Sequence, residues 1–161
     1  MTQPPPPGPG APAEASLSGA FRIDREGVWR HEEVEVTHPG VLRNLYANLR
    51  VDSTGHYLQA GPLRVPVQVD DAPFVVVRAE TDDPRAIDIH LSDGNRETLD
   101  PATLSLDERG IPHCRVKGGQ FRARLSVAAW LQLAEKLETG PTSRSVVLTL
   151  GDERIIVRQA E

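Results

Sequence analysis

Leu63-Arg-Val-Pro-Val-Gln-Val-Asp-Asp-Ala-Pro-Phe-Val-Val-Val-Arg-Ala-Glu80 is the most strand-like stretch of the chain, two β-rich runs broken by an acidic corner at Asp70-Asp71-Ala72-Pro73. Val65, Val67 and Val69 alternate with Arg64, Pro66 and Gln68, the period of a strand with one buried face. Phe74 to Val77 is a continuous apolar run, which predicts burial on both faces. Pro66 has no N–H to give to a ladder, so one side of it is expected to go unpaired, and Pro73 biases Ala72 to extended backbone. A sheet growing outward from this stretch is the expected centre of the fold.

Working towards the N-terminus, Leu63–Val69 pairs with Tyr57–Ala60 around Gly61-Pro62. Before it, Thr37-His38-Pro39 opens a helix with Val41, Leu42, Leu45, Tyr46 and Leu49 on one face, ending before Asp52, since proline suits the first helical position. Phe21 to His31 reads as a hairpin whose turn, bracketed by Asp24 and Gly27, sets Ile23 near Trp29. Residues 1–18 carry Pro4-Pro5-Pro6-Pro7 followed by Gly, Ala and Ser, a composition with little to bury, and are expected to be a disordered tail.

Towards the C-terminus, Phe74–Glu80, Ala86–Leu91 and Arg96–Leu99 form a three-stranded meander, with Asp82-Asp83-Pro84 and Asp93-Gly94-Asn95 as turns. Leu104, Leu106 and Ile111 lie in an irregular bridge. His113–Lys117 and Gln120–Leu125 flank Gly118-Gly119, a two-residue primed turn that pairs Arg115 with Arg122. Ser126 caps a helix with Val127, Trp130, Leu131, Ala134 and Leu137 on its apolar face, stopped by Gly140-Pro141. Val146–Leu150 and Glu153–Arg158 make a last hairpin.

Both halves read strand, strand, helix, strand, strand. The expected fold is α+β, with two related ββαββ-type subdomains around a central antiparallel β-meander: tail 1–18, N-terminal subdomain 19–72, meander and bridge 73–111, C-terminal subdomain 112–161. At 161 residues and 39% apolar, the chain is long enough to bury such a core.

The order of these motifs resembles the bacterial domain of unknown function 1285 family (DUF1285). The residues that carry the resemblance are Phe21-Arg-Ile-Asp24 with Gly27, Trp29 and His31, the helix of Leu42, Leu45 and Leu49, and Val65-Pro-Val-Gln-Val-Asp-Asp-Ala-Pro-Phe74. The resemblance implies two related α+β subdomains with repeated motifs, and a role in ligand binding or signal transduction without an assigned substrate. The proline-rich head and a loosely matching C-terminal half depart from that pattern.

Charge bounds the partners. The net charge of −5 from 18 Lys and Arg against 23 Asp and Glu argues against a general nucleic-acid or anionic-membrane binder. It divides into −8 up to Ile111 and +3 from Pro112 onward, so the C-terminal third is the cationic part. A single cysteine, Cys114, allows neither an internal disulfide nor a cysteine-based zinc site. With no signal peptide and no run of about 18 apolar residues, a cytoplasmic protein without a membrane span is expected.

Candidate chemistry is sparse. His31, Glu33, Glu35 and His38 offer metal-ligand atoms but match no compact spacing, so a solvated connection is the expectation and no metal is assigned. Cys114 reads as a small buried residue. Asp70 and Asp71 are adjacent carboxylates that can serve as an acid and base pair in a cleft, or hold their own turn together. The sharpest feature is the face shared by His113, Arg115, Lys117, Gln120, Arg122 and Arg124, which carries four cations and no acid. Like charges placed opposite each other cost stability unless an anion relieves them. The site residues are therefore Arg115, Lys117, Arg122 and Arg124, with Asp70 and Asp71. The reading is a non-enzymatic ligand-binding or interaction module without a cofactor, taking a small anionic ligand or an acidic protein segment. Its rivals are a cationic docking surface for an acidic protein or nucleic acid, and a weak hydrolase or metalloenzyme.

Overall fold

The computed structural model describes residues 20–160, so the proline-rich tail lies outside the described residues. The chain is α+β, and its described residues divide into two compact units, one comprising residues 20–24 with Val28–Asp70, the other Arg25–Gly27 with residues 71–160. Among the described residues no helix is long and apolar enough to cross a membrane.

The first unit holds a six-stranded sheet, built from β1 (Phe21–Ile23), β2 (Trp29–His31) and β3 (Val34–Glu35), then helix α1 (Pro39–Asn48), then β4 (Leu49–Asp52), β5 (Gly55–Ala60) and β6 (Leu63–Val69). Its order is β3-β2-β1-β6-β5-β4. Turn chemistry sets the registers as expected: Ile23 lies opposite Trp29, and Leu58 opposite Val65. The proline argument also holds, because β1 runs parallel to β6 only over Val67–Val69, beginning just past Pro66. In α1 the His38 ring caps the helix, Nδ1 accepting from the N–H groups of Gly40 and Val41 at 3.0 and 3.3 Å. Leu45 is buried as the helical period requires, whereas Val41 is exposed, and Leu49, expected on the helix face, instead opens β4 and is buried there.

The second unit repeats this wiring. Its sheet uses β7 (Phe74–Glu80), β8 (Asp88–Leu91), β9 (Arg96–Thr98), a short 3-10 turn (Pro101–Thr103), β10 (Ser105–Leu106), β11 (Pro112–Val116) and β12 (Phe121–Leu125), in the order β10-β11-β12-β7-β8-β9. The meander of β7 to β9 therefore shares one sheet with the cationic hairpin. Helices and strands do recur in two halves, but the repeat is a pair of three-stranded meanders, and its frame is β1–β6 against β7–β12. Each sheet closes by setting its first strand parallel to its last: Phe21 beside Val67 in one, Phe74 beside Ala123 in the other.

Two burial expectations change. Phe74 and Val76 are buried but Val77 is 46% exposed, because alternation puts it on the opposite face, and the register shift between Val76 and Arg78 then brings Ala79 inward. Helix α2 (Val127–Leu133) is capped by the Ser126 hydroxyl, which accepts from Ala129 N–H at 3.1 Å. It buries Ala129 and Leu133 and leaves Val127 and Leu131 exposed. A seven-residue helix running straight off β12 has its phase set by that cap and by close approach to β7, which favours the small Ala129 over the bulkier stripe. A 3-10 turn then leads into β13 (Leu137–Thr139), which joins β14 (Ser145–Leu150) and β15 (Glu153–Arg158) in a three-stranded sheet. Leu137 thus belongs to a strand, not to the helix face expected for it.

Candidate functional site

The β11–β12 hairpin forms in the expected register, with Arg115 opposite Arg122, Cys114 opposite Ala123 and Val116 opposite Phe121. Gly118 and Gly119 take φ of +68° and +86°, the left-handed backbone a primed turn requires. Alternation then buries Cys114, Val116, Phe121, Ala123 and Leu125 and turns the arginines outward.

The cations do not stand unopposed. Lys117 Nζ lies 2.6 Å from the nearly buried Asp93 carboxylate. Burial works against the charged form of Asp93, but hydrogen bonds from Lys117 and Asn95 outweigh it and hold the carboxyl below its usual range. Arg122 pairs with Asp71 at 3.3 Å, and Arg124 donates to the Arg25 carbonyl at 2.6 Å. Arg115 is exposed and has no ion pair among the described residues.

The acidic corner separates its two carboxylates, as extended backbone does with successive side chains. Asp70 accepts from Arg22 at 2.8 Å in the first unit. Asp71 belongs to the second, where it meets Arg122 and also His113, whose Nε2 lies 2.8 Å from Asp71 Oδ2. His113 was expected on the solvated cationic face; it is 1% exposed. Its Nδ1 lies 3.0 Å from the Ile111 carbonyl, so both ring nitrogens face oxygens of the protein itself.

Asp107 completes the cluster. Burial disfavours its charge, yet N–H groups of Ile111 and Arg109 and the nearby His113 and Arg122 hold its carboxyl below the usual range. Ligand atoms of Asp71, Asp107 and His113 lie within 4.8 Å of one another, making them the group of described residues able to share a metal ion. To enter, a cation has to break the His113–Asp71 hydrogen bond and contend with Arg122. Sequence reading missed Asp107 and the burial of His113. The spacing of Asp107 to Ile111 does signal a turn closed by an aspartate, and both N–H groups donate to Asp107 Oδ1, at 2.8 and 2.9 Å.

The remaining candidates have structural tasks. His31 stacks on Phe21 with ring centroids 4.4 Å apart, Glu33 pairs with Arg22 at 2.9 Å, and His38 caps α1. They do not assemble with Glu35 into a ligand set. Cys114 is buried, and desolvation together with the Glu97 charge pushes its thiol up to about 12, so it holds its proton at neutral pH.

Comparison with known proteins places this architecture. No family model matches the chain, and no curated protein matches it. Two solved structures do. A DUF1285 family protein from Silicibacter pomeroyi DSS-3 is similar with a TM-score of 0.71 at 20% identity, over 88% of this chain and 81% of that one. A DUF1285 family protein from Shewanella baltica OS155 is similar with a TM-score of 0.63 at 18% identity, over 74% of this chain and 93% of that one. The likeness is one of fold, and it supports the resemblance to that family.

Proposed function

We propose that the protein is a non-enzymatic ligand-binding or interaction module of the bacterial cytoplasm, with a role in signal transduction, and that it takes a small anionic ligand or an acidic protein segment on the outer face of β11 and β12. One observation carries this reading: Arg115 sits directly opposite Arg122, and of the two only Arg122 has a carboxylate partner among the described residues. An incoming anion relieves Arg115 and draws on the half-exposed Arg122 guanidinium, whose planar fork suits phosphate and carboxylate. The occupied nitrogens of His113 and the protonated thiol of Cys114 favour binding over catalysis.

Arg115→Gln tests this more cleanly than changing both arginines, because Arg122 also anchors Asp71. Deleting a like-charge cross-strand neighbour is expected to raise stability by about 0.5 kcal/mol in chloride. Phosphate should stabilise the wild type beyond chloride of equal ionic strength, and the variant should lose a clear part of that excess. Equal responses to the two salts in thermal unfolding refute the hairpin as a binding face. A loss of affinity that steepens with salt over several charges favours the nucleic-acid docking alternative.

A further inference from the structure

Among the described residues, clefts of similar size open on the second unit, and their linings differ in charge. One of about 360 Å³ sets Arg78 beside Glu80, Asp82 and Glu135. Another of about 390 Å³ sets Arg85 beside Asp152 and Glu153. In both, carboxylates offset the guanidinium. The third, of about 410 Å³, lies where the loop before β14 meets the end of β15, and it is lined by Arg144, Arg158, Thr142, Ser143, Ser145 and Ile156, with no carboxylate among the described residues. Neither arginine has an ion pair among the described residues, and both are exposed.

The loop is built to hold its shape. Ser145 N–H donates to the Thr142 carbonyl at 3.3 Å, Thr142 N–H donates to Ser145 Oγ at 3.2 Å, and Gly140 N–H donates to the Ser145 carbonyl at 3.1 Å. A side chain at Gly140 would lie 2.7 Å from Ser145 backbone atoms, so only glycine permits this closure. Arg144 is fixed on both sides of its own backbone: its N–H donates to Thr142 Oγ1 at 3.3 Å, and its carbonyl accepts from Gln159 N–H at 2.8 Å. Arg158 is placed by register, directly opposite Ser145. Both arginines thus line the cleft from fixed backbone, together with Ser143 and the 45% exposed Ile156.

We infer that this cleft is a second binding site, separate from the β11–β12 face, for the phosphate group of a phosphomonoester whose apolar body rests on Ile156. Two guanidiniums offer charge-assisted donors to a tetrahedral dianion, and no carboxylate among the described lining residues repels it. An apolar residue beside the charged pair gives an ester an advantage over the free ion.

Isothermal titration of the full chain with phenyl phosphate and with inorganic phosphate, against chloride at matched ionic strength, tests the assignment. Phenyl phosphate is expected to bind with a dissociation constant near or below about 1 mM, and tighter than inorganic phosphate. The double variant Arg144→Gln/Arg158→Gln should bind it at least about tenfold more weakly while keeping the wild-type circular dichroism spectrum, whereas Arg144→Lys/Arg158→Lys should recover part of the loss. Arg115→Gln should remove only the share of the binding that the β11–β12 face contributes and leave the share lost in Arg144→Gln/Arg158→Gln in place. Undiminished binding by the glutamine double variant overturns the cleft; if Arg115→Gln abolishes binding instead, the cleft fails while the hairpin reading stands. No heat from the wild type beyond chloride also overturns it.

Discussion

The two six-stranded sheets share one wiring and differ in what they carry on it. Aligning them by their central parallel strands sets Phe21 with Phe74, Ile23 with Val76, Val67 with Ala123 and Val69 with Leu125. The backbone agrees beyond the ladder: Asp70 N–H donates to the Ile23 carbonyl, and Ser126 N–H to the Val76 carbonyl, both at 3.0 Å. In the same frame Gly55, Tyr57 and Pro66 of the first sheet occupy the positions of His113, Arg115 and Arg122 in the second. The inward positions of the central parallel strands are apolar in both sheets, and the outward ones of the hairpins beside them have diverged in charge. The frame is thus a matter of burial, and the polar cluster is an addition to one copy of it.

The largest test strikes the shared frame. Phe74→Ala is expected to cost about 3 to 5 kcal/mol in chemical denaturation, because it removes a buried ring that meets Phe121 edge-on at 5.2 Å, and Phe21→Ala should cost a similar amount. A cost below about 1 kcal/mol at either position breaks the equivalence of the two sheets.

A smaller effect is expected from the feature one sheet has alone. His113→Leu leaves the Asp71 carboxylate facing an apolar group and should cost about 2 to 3 kcal/mol. Hydrogen exchange should quicken in β11 and β12 and stay unchanged in β5 and β6. Equal quickening in both sheets shows that the cluster supports the whole chain and is no local addition.

The smallest effect belongs to the first unit. Hydrogen bonds from the Thr54 hydroxyl and from Arg64 lower the Asp52 pKa from 3.8 to about 2. A folded-state pKa depressed in this way contributes stability that is fully present above the unfolded value and is lost as pH falls through the folded one. The Asp52 carboxyl should titrate with a midpoint near 2 in a carbon-detected NMR series, and Arg64→Gln should move it towards 3.8. A midpoint already at the ordinary value removes this electrostatic tie between β4 and β6.

Local chemistry was legible in the sequence wherever neighbours along the chain decide the outcome. The registers of Ile23 with Trp29 and Arg115 with Arg122, the helix start at Pro39, the cap at Ser126, and the α+β class all follow from turn residues, period and capping groups a few positions apart. Tertiary structure alone decided the rest. The frame of the repeat depends on which strands meet in parallel at a sheet centre, a pairing between residues some 46 to 49 positions apart that no local period encodes. The burial of His113 follows from Asp71, 42 positions away, arriving over a face whose alternation pointed to solvent. The exposed stripe of α2 has a similar cause: where chains pack closely, the space available overrides the average hydrophobicity of a face.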